Sequence, residues 1–135
     1  MSATLIPGLR YADGPAAIDF LCRAFGFQRQ LVIPGEGGAI AHAQLTLAGA
    51  MIMLGSQPSP ELASPMALPA EAGHRVTQTL YMIVQDPDAH HAQAIAAGAT
   101  IVRPLADQPQ GGRAYMCRDP EGHVWQFGSF DPWKN

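Results

Sequence analysis

The sequence predicts an α+β domain made of two βαβββ modules, and three observations carry that expectation. Two runs begin alike, Leu9-Arg10-Tyr11-Ala12-Asp13 and Met82-Ile83-Val84-Gln85-Asp86, each a short strand ending in Asp. Each is followed by a helix-like stretch closed by glycine, Pro15 to Phe25 with Gly26 and Pro87 to Ala97 with Gly98. Several short strand-like runs then complete each copy. A supersecondary unit that occurs twice must bury its apolar faces against its duplicate, so the repeat constrains the fold more than any single residue does.

In the first module, residues 1–56, Leu5 to Tyr11 reads as the opening strand, with Pro7 and Gly8 suiting an edge or a bulge. Asp13 is placed to cap the helix and Pro15 lies in its first turn. Ile18, Leu21 and Phe25 recur at spacings of three and four, one apolar stripe that packs on a sheet, and Gly26 ends it. Phe27 to Ile33, Ala39 to Leu47 and Met51 to Leu54 read as strands, parted by Pro34-Gly35-Glu36-Gly37-Gly38 and by Ala48-Gly49-Ala50.

Residues 57–74 form a connector containing Pro58, Pro60, Pro65 and Pro69, the kind of loop that can also cover a pocket. The second module, residues 75–135, opens with the strand Thr77 to Gln85 and a helix near Asp88 to Ala97. The strands Thr100 to Leu105, Arg113 to Arg118 and His123 to Phe130 follow. Asp119-Pro120-Glu121-Gly122 is a tight turn, in which Pro presets φ and Gly accepts a positive φ.

The 135 residues fit one domain. Charged residues make up 14% and hydrophobic residues 47%, so part of the apolar surface is expected to be covered by a second subunit, most simply in a homodimer. A net charge of −3 lacks the basic footprint that phosphate neutralisation needs, so nucleic acid is not an expected partner. Cys22 and Cys117 fall in no metal or redox spacing and read as reduced thiols. The start Met1-Ser2-Ala3-Thr4-Leu5 lacks the pattern of a signal peptide, and no apolar run approaches the roughly 18 residues of a membrane span. A cytoplasmic protein without a membrane partner is expected.

The strand-Asp-helix-Gly repeat, and above all the run from Arg113 to Gly128 with Asp-Pro-Glu-Gly before the last strand, resembles the vicinal oxygen chelate superfamily. That superfamily includes glyoxalase I, extradiol dioxygenases, fosfomycin-resistance enzymes and bleomycin-resistance proteins. The resemblance implies a cupped, eight-stranded mixed sheet, usually assembled as a dimer. It also implies four inward positions that hold His or Glu in the metal-dependent members. Counted onto this chain they are Ile6, Met53, Thr79 and Gln126. A hydrocarbon, a thioether, a hydroxyl and an amide cannot replace the imidazoles and carboxylates of a catalytic divalent metal site. No metal, cofactor or catalytic residue is therefore expected, as in the metal-free bleomycin-resistance type.

With Gln126 facing inward, strand alternation sends Trp125 and Phe127 toward the helices. It groups Arg10 with Ile6, Met51 with Met53, Tyr81 with Thr79, and His42 with Gln44 and Thr46. Arg10 offers a guanidinium fork to an anionic group, matching what the resemblance to glyoxalase I implies. Tyr81 and Tyr115 offer aromatic faces with hydroxyls. His42 reads as a hydrogen-bonded strand histidine before a catalytic base. Phe130 and Trp133 read as subunit contacts. The expected ligand-binding set is Arg10, His42, Gln44, Met53, Thr79, Tyr81, Tyr115 and Gln126. Its occupant is a small organic molecule, aromatic or anionic, such as an antibiotic. Two other readings stay open: an enzyme of the same superfamily with displaced or absent metal ligands, and a structural or regulatory dimer whose cup is filled by its own side chains.

Overall fold

A computed structural model describes residues 2–58 and 64–134. Residues 59–63 of the connector, Pro60 among them, lie outside the described residues, as do Met1 and Asn135. The first module comprises β1 (Gly8–Tyr11), α1 (Gly14–Phe20), β2 (Gln28–Pro34), β3 (Ile40–Leu47) and β4 (Ala50–Ser56). The second comprises β5 (Leu80–Ile83), α2 (Pro87–Ala96), β6 (Thr100–Asp107), β7 (Arg113–Arg118) and β8 (Val124–Gly128). The duplicated order expected from the repeat is present.

The eight strands fall into two four-stranded mixed sheets, ordered β1-β4-β3-β2 and β5-β8-β7-β6. In each sheet the first strand runs parallel to the last, and the remaining neighbours are antiparallel. Strand β1 is shorter than the run from Leu5, because Pro7 has no N–H to give a ladder. The Pro7 carbonyl still accepts from Met53 N at 2.9 Å.

Asp13 caps α1 by accepting from Ala16 N, and Asp86 caps α2 by accepting from Ala89 N, so the repeated Asp serves the same purpose twice. The first helix then loosens into a π-helical turn, Leu21–Phe25, before Gly26 stops it with φ +91°. That turn brings Phe25 against the second module.

One hydrophobic core serves both modules, and they meet through their helix sides. Phe25 lies 5.3 Å from Trp125 and 4.7 Å from Phe127, ring centre to ring centre, while Phe27 lies 5.8 Å from Trp125. Trp125 and Phe127 are fully buried and stack nearly parallel, at 2°. Burying such rings supplies roughly 1.5–3 kcal/mol each. The sheet faces opposite the helices therefore look away from the shared core.

Polar groups strengthen the join. The Asp119 carboxylate, only 4% exposed, accepts from Tyr11 Oη, Trp125 Nε1 and the backbone N–H groups of Glu121, Gly122 and His123. Both Glu121 carboxylate oxygens take N–H groups at the start of α1, from Ala12 at 2.6 Å and Asp13 at 2.9 Å. His123 Nε2 donates to the Arg10 carbonyl at 2.8 Å. The Asp-Pro-Glu-Gly turn is thus a latch of one module on the other.

Candidate functional site

Six of the eight expected ligand residues lie on the outer faces of the two sheets, Thr79 adjoins one of them, and Tyr115 does not. On the first sheet, strand alternation leaves Arg10, Met51, Met53, His42, Gln44 and Thr46 half-buried while their neighbours Leu9, Ile52, Leu54, Ala43 and Leu45 enter the core. Gln44 sits opposite Met53 across the β3–β4 ladder. On the second sheet Tyr81 sits opposite Gln126. Thr79 precedes β5 and is exposed. Among the described residues no hydrogen bond joins the two groups. Arg10, His42, Gln44 and Met53 lie together on one sheet, and Tyr81, Gln126 and the adjoining Thr79 on the other.

Tyr115 belongs to neither. The register pairs it with Phe127 and pairs Met116 with Gln126, so Tyr115 points into the core, 1% exposed, and Met116 occupies the outer face in its place. The signal lay in the Asp119 turn, which sets Arg118 opposite Val124 and fixes the parity of the whole strand. The Tyr115 hydroxyl donates to His90 Nδ1, while His90 Nε2–H donates to the Phe25 carbonyl at 2.9 Å. Burial pushes the Tyr115 hydroxyl well above its usual range and lowers His90 from its ordinary value, opposed for His90 by the bond to Phe25. These are structural groups at the module junction.

Each outer face has a polar side chain laid over a glycine. A Cβ on Gly55 would lie 2.9 Å from Arg10 Nη1, and one on Gly128 would lie 2.9 Å from Tyr81 Oη. The Tyr81 hydroxyl donates to the Phe130 carbonyl at 2.6 Å, leaving its aromatic ring as the feature open to a ligand. Phe130 thereby positions Tyr81 through its backbone. On β2, Leu31 and Ile33 are 41% and 44% exposed, an apolar rim that the strand's expected pairing did not single out.

The residues do not fit a resident metal. Of the four positions, Ile6 offers no donor atom, and Met53, Thr79 and Gln126 offer a thioether, an alcohol and an amide. Among the described residues no three His, Cys, Asp or Glu side chains gather where an ion would sit. Neither cysteine suits thiolate chemistry: burial raises the Cys22 thiol and pushes Cys117 up to about 12. Both are free. No helix among the described residues is long and apolar enough to cross a membrane.

Comparison with known proteins agrees with this architecture. The sequence model of the Glyoxalase/Bleomycin resistance protein/Dioxygenase superfamily matches residues 5–127. An uncharacterised protein of Mycobacterium bovis is 35% identical over 124 residues, which cover 92% of this chain and 81% of the relative. The crystal structure of TioX from Micromonospora sp. ML1 is 37% identical, with a TM-score of 0.74 over 94% of this chain and 98% of that one. The bleomycin-binding protein of bleomycin-producing Streptomyces verticillus, solved with copper(II)-bleomycin, is 20% identical with a TM-score of 0.64, over 97% and 98% of the two chains. At that identity the last likeness speaks for the fold alone.

Proposed function

The chain belongs to the glyoxalase/bleomycin resistance protein/dioxygenase superfamily, and from that membership we propose that it is a metal-free binding protein sequestering a small organic ligand, aromatic or anionic, such as an antibiotic. The observation that carries the reading is the content of the two outer faces. They present a guanidinium, an imidazole, amides, thioethers and a phenol ring where the metal-dependent type needs imidazoles and carboxylates. Such a set holds a ligand by shape, stacking and a few directed hydrogen bonds. Met51, Met53 and Met116 supply polarisable walls that adapt to a flat ligand.

The two faces look outward from a shared core, so a second copy is needed to close them into a cup. The first sheet of one protomer meets the second sheet of its partner in a homodimer, with two cups related by the twofold axis. Exposed Leu31, Ile33 and Ile83 on these faces, 41%, 44% and 42% exposed, are apolar surface that this arrangement covers. A protein of the same fold, the bleomycin-binding protein, holds copper(II)-bleomycin, so the fold accommodates an organic ligand.

Equilibrium binding of the purified protein to a panel of aromatic and glycopeptide antibiotics tests the reading. Saturable binding with the ligand recovered unchanged supports it. Conversion of a bound ligand to product, or a panel without a single binder, overturns it.

A further inference from the structure

Strand β1 is the outermost strand of the first sheet, and one of its sides is free. Met53 N donates to the Pro7 carbonyl and Gln57 N to the Tyr11 carbonyl, so the odd-numbered residues of this parallel pair face β4. Gly8 and Arg10 therefore turn their backbone groups to the free side. The Arg10 carbonyl accepts from His123 Nε2 at 2.8 Å. Among the described residues the Gly8 N–H, the Gly8 carbonyl and the Arg10 N–H have no partner. Gly8 is exposed, and a Cβ built on it meets nothing within 4 Å, so no side chain crowds the strand there.

That free side borders a groove of about 360 Å³ between the modules. Leu9, Leu80 and Val124 line it from the sheets, and Pro65, Met66 and Val76 line it from the connector. His123, also in its wall, spans from the second sheet to β1 at Arg10. The connector wall is held in place: Pro69 is fully buried, its Cβ 3.2 Å from where a side chain on Gly122 would start, and the Met66 carbonyl accepts from Gln57 Nε2 at 2.6 Å. Arg75 stands in the groove and no Asp or Glu lines it. Among the described residues no carboxylate pairs with Arg75. An unpaired edge is a template for another strand. The four residues of β1 offer about 13 Å of it, room for a segment of similar length.

We propose that this groove docks a short extended peptide carrying a carboxylate, which adds a further strand to the first sheet beside β1. The Gly8 N–H and carbonyl and the Arg10 N–H supply the main-chain hydrogen bonds of strand addition. Alternate side chains of the peptide enter the apolar walls, because a strand presents successive residues to opposite faces. Arg75 supplies the charge that complements the carboxylate. The groove lies within one chain and apart from the outer faces proposed to hold a small ligand, so the two sites are tested separately.

Amide NMR of the native protein, titrated with the acetylated tetrapeptide Val-Thr-Val-Glu, tests the proposal. Saturable shifts and slowed hydrogen exchange are expected at the Gly8 and Arg10 N–H groups, while those of Leu9 and Tyr11, already turned to β4, keep their exchange rates. N-methylation of alternate peptide residues removes the donors on one side of the added strand. One alternate set is expected to weaken binding about tenfold or more, and the other to leave it standing. Arg75→Gln is expected to weaken this peptide severalfold and to leave its glutamine counterpart, Val-Thr-Val-Gln, unchanged. Gly8→Pro removes an edge donor and is expected to weaken both peptides; thermal melts show whether it folds, and Val76→Trp, which fills the groove, has the same expected effect. The dye 1-anilinonaphthalene-8-sulfonate, an apolar anion suited to the outer faces, is expected to bind with the same affinity when the peptide is present. Shifts that bypass Gly8 and Arg10, equal effects of the two methylations, equal effects of Arg75→Gln on both peptides, or displacement of the dye overturns the peptide groove. Failure of the native protein to bind the dye counts against the small-ligand reading and leaves the groove standing.

Discussion

The Tyr11 hydroxyl donates to the Asp119 carboxylate at 2.6 Å, joining the first strand of one module to the tight turn of the other. The bond is buried, and burial followed by the Asp119 charge keeps the Tyr11 hydroxyl far above its usual range, so it remains a donor. Asp119 also gathers the Trp125 indole N–H and three backbone N–H groups. Removing the carboxylate strands all of these donors, while removing the hydroxyl strands none.

Asp119→Ala is therefore expected to cost about 3 kcal/mol or more, and Tyr11→Phe about 1–2 kcal/mol. Urea denaturation followed by tryptophan fluorescence, which Trp125 reports, gives both values. Equal losses in the two variants would mean that the carboxylate's other donors contribute nothing.

His90 predicts a pH dependence. Its folded value lies below the ordinary imidazole value because burial disfavours the charged ring. The unfolded chain therefore binds a proton first as pH falls through about 6.5, and the folded state loses stability below that point. The loss levels off once pH passes below the folded value. Phe25, Tyr115 and Phe127 pack on the His90 ring, His91 packs on Tyr115, and among the described residues no carboxylate bonds to His90. Denaturation midpoints of the native protein and His90→Gln, compared from pH 7.5 to 5 in buffer of about constant ionic strength, are expected to converge as pH falls. A constant difference would contradict a neutral buried imidazole.

The unsuitable donor set makes a third expectation. Elemental analysis of protein expressed with added zinc, nickel, manganese and iron is expected to find far less than one ion per chain. A chelator is expected to leave the binding of 1-anilinonaphthalene-8-sulfonate unchanged. A stoichiometric ion, with dye binding lost on chelation, would bring the enzyme reading forward.

Much of this was legible in the sequence because it is periodic or punctuated. The repeat placed the modules, Asp13 and Asp86 marked the helix starts, and alternation put Trp125 and Phe127 inside. Tyr115 misled because its side chain suits a ligand, whereas its register with Phe127 sends it to the core. Gln30, which a bulge in β2 leaves unpaired and which donates to Gln44 Oε1 at 3.0 Å, escaped notice because a bulge leaves no mark in residue types. The latch was half visible: the turn was recognised from Asp119 to Gly122, but its grip on Tyr11 spans 108 positions of sequence. The placing of the expected ligand residues on two outward faces depends on which sides of the modules pack together, and Phe25 decides that only in three dimensions.

The most direct test of the shared cup is complementation between two disabled chains. Met53→Glu spoils the first-sheet half and Gln126→Glu the second, so each variant alone should bind no 1-anilinonaphthalene-8-sulfonate at the cup. With a chelator present, the two variants are mixed, unfolded and refolded together, and the dye is titrated. A site shared between protomers predicts that the mixture regains saturable binding, because each mixed dimer unites two intact halves in one cup; a mixture that binds no more dye than either variant alone would contradict it.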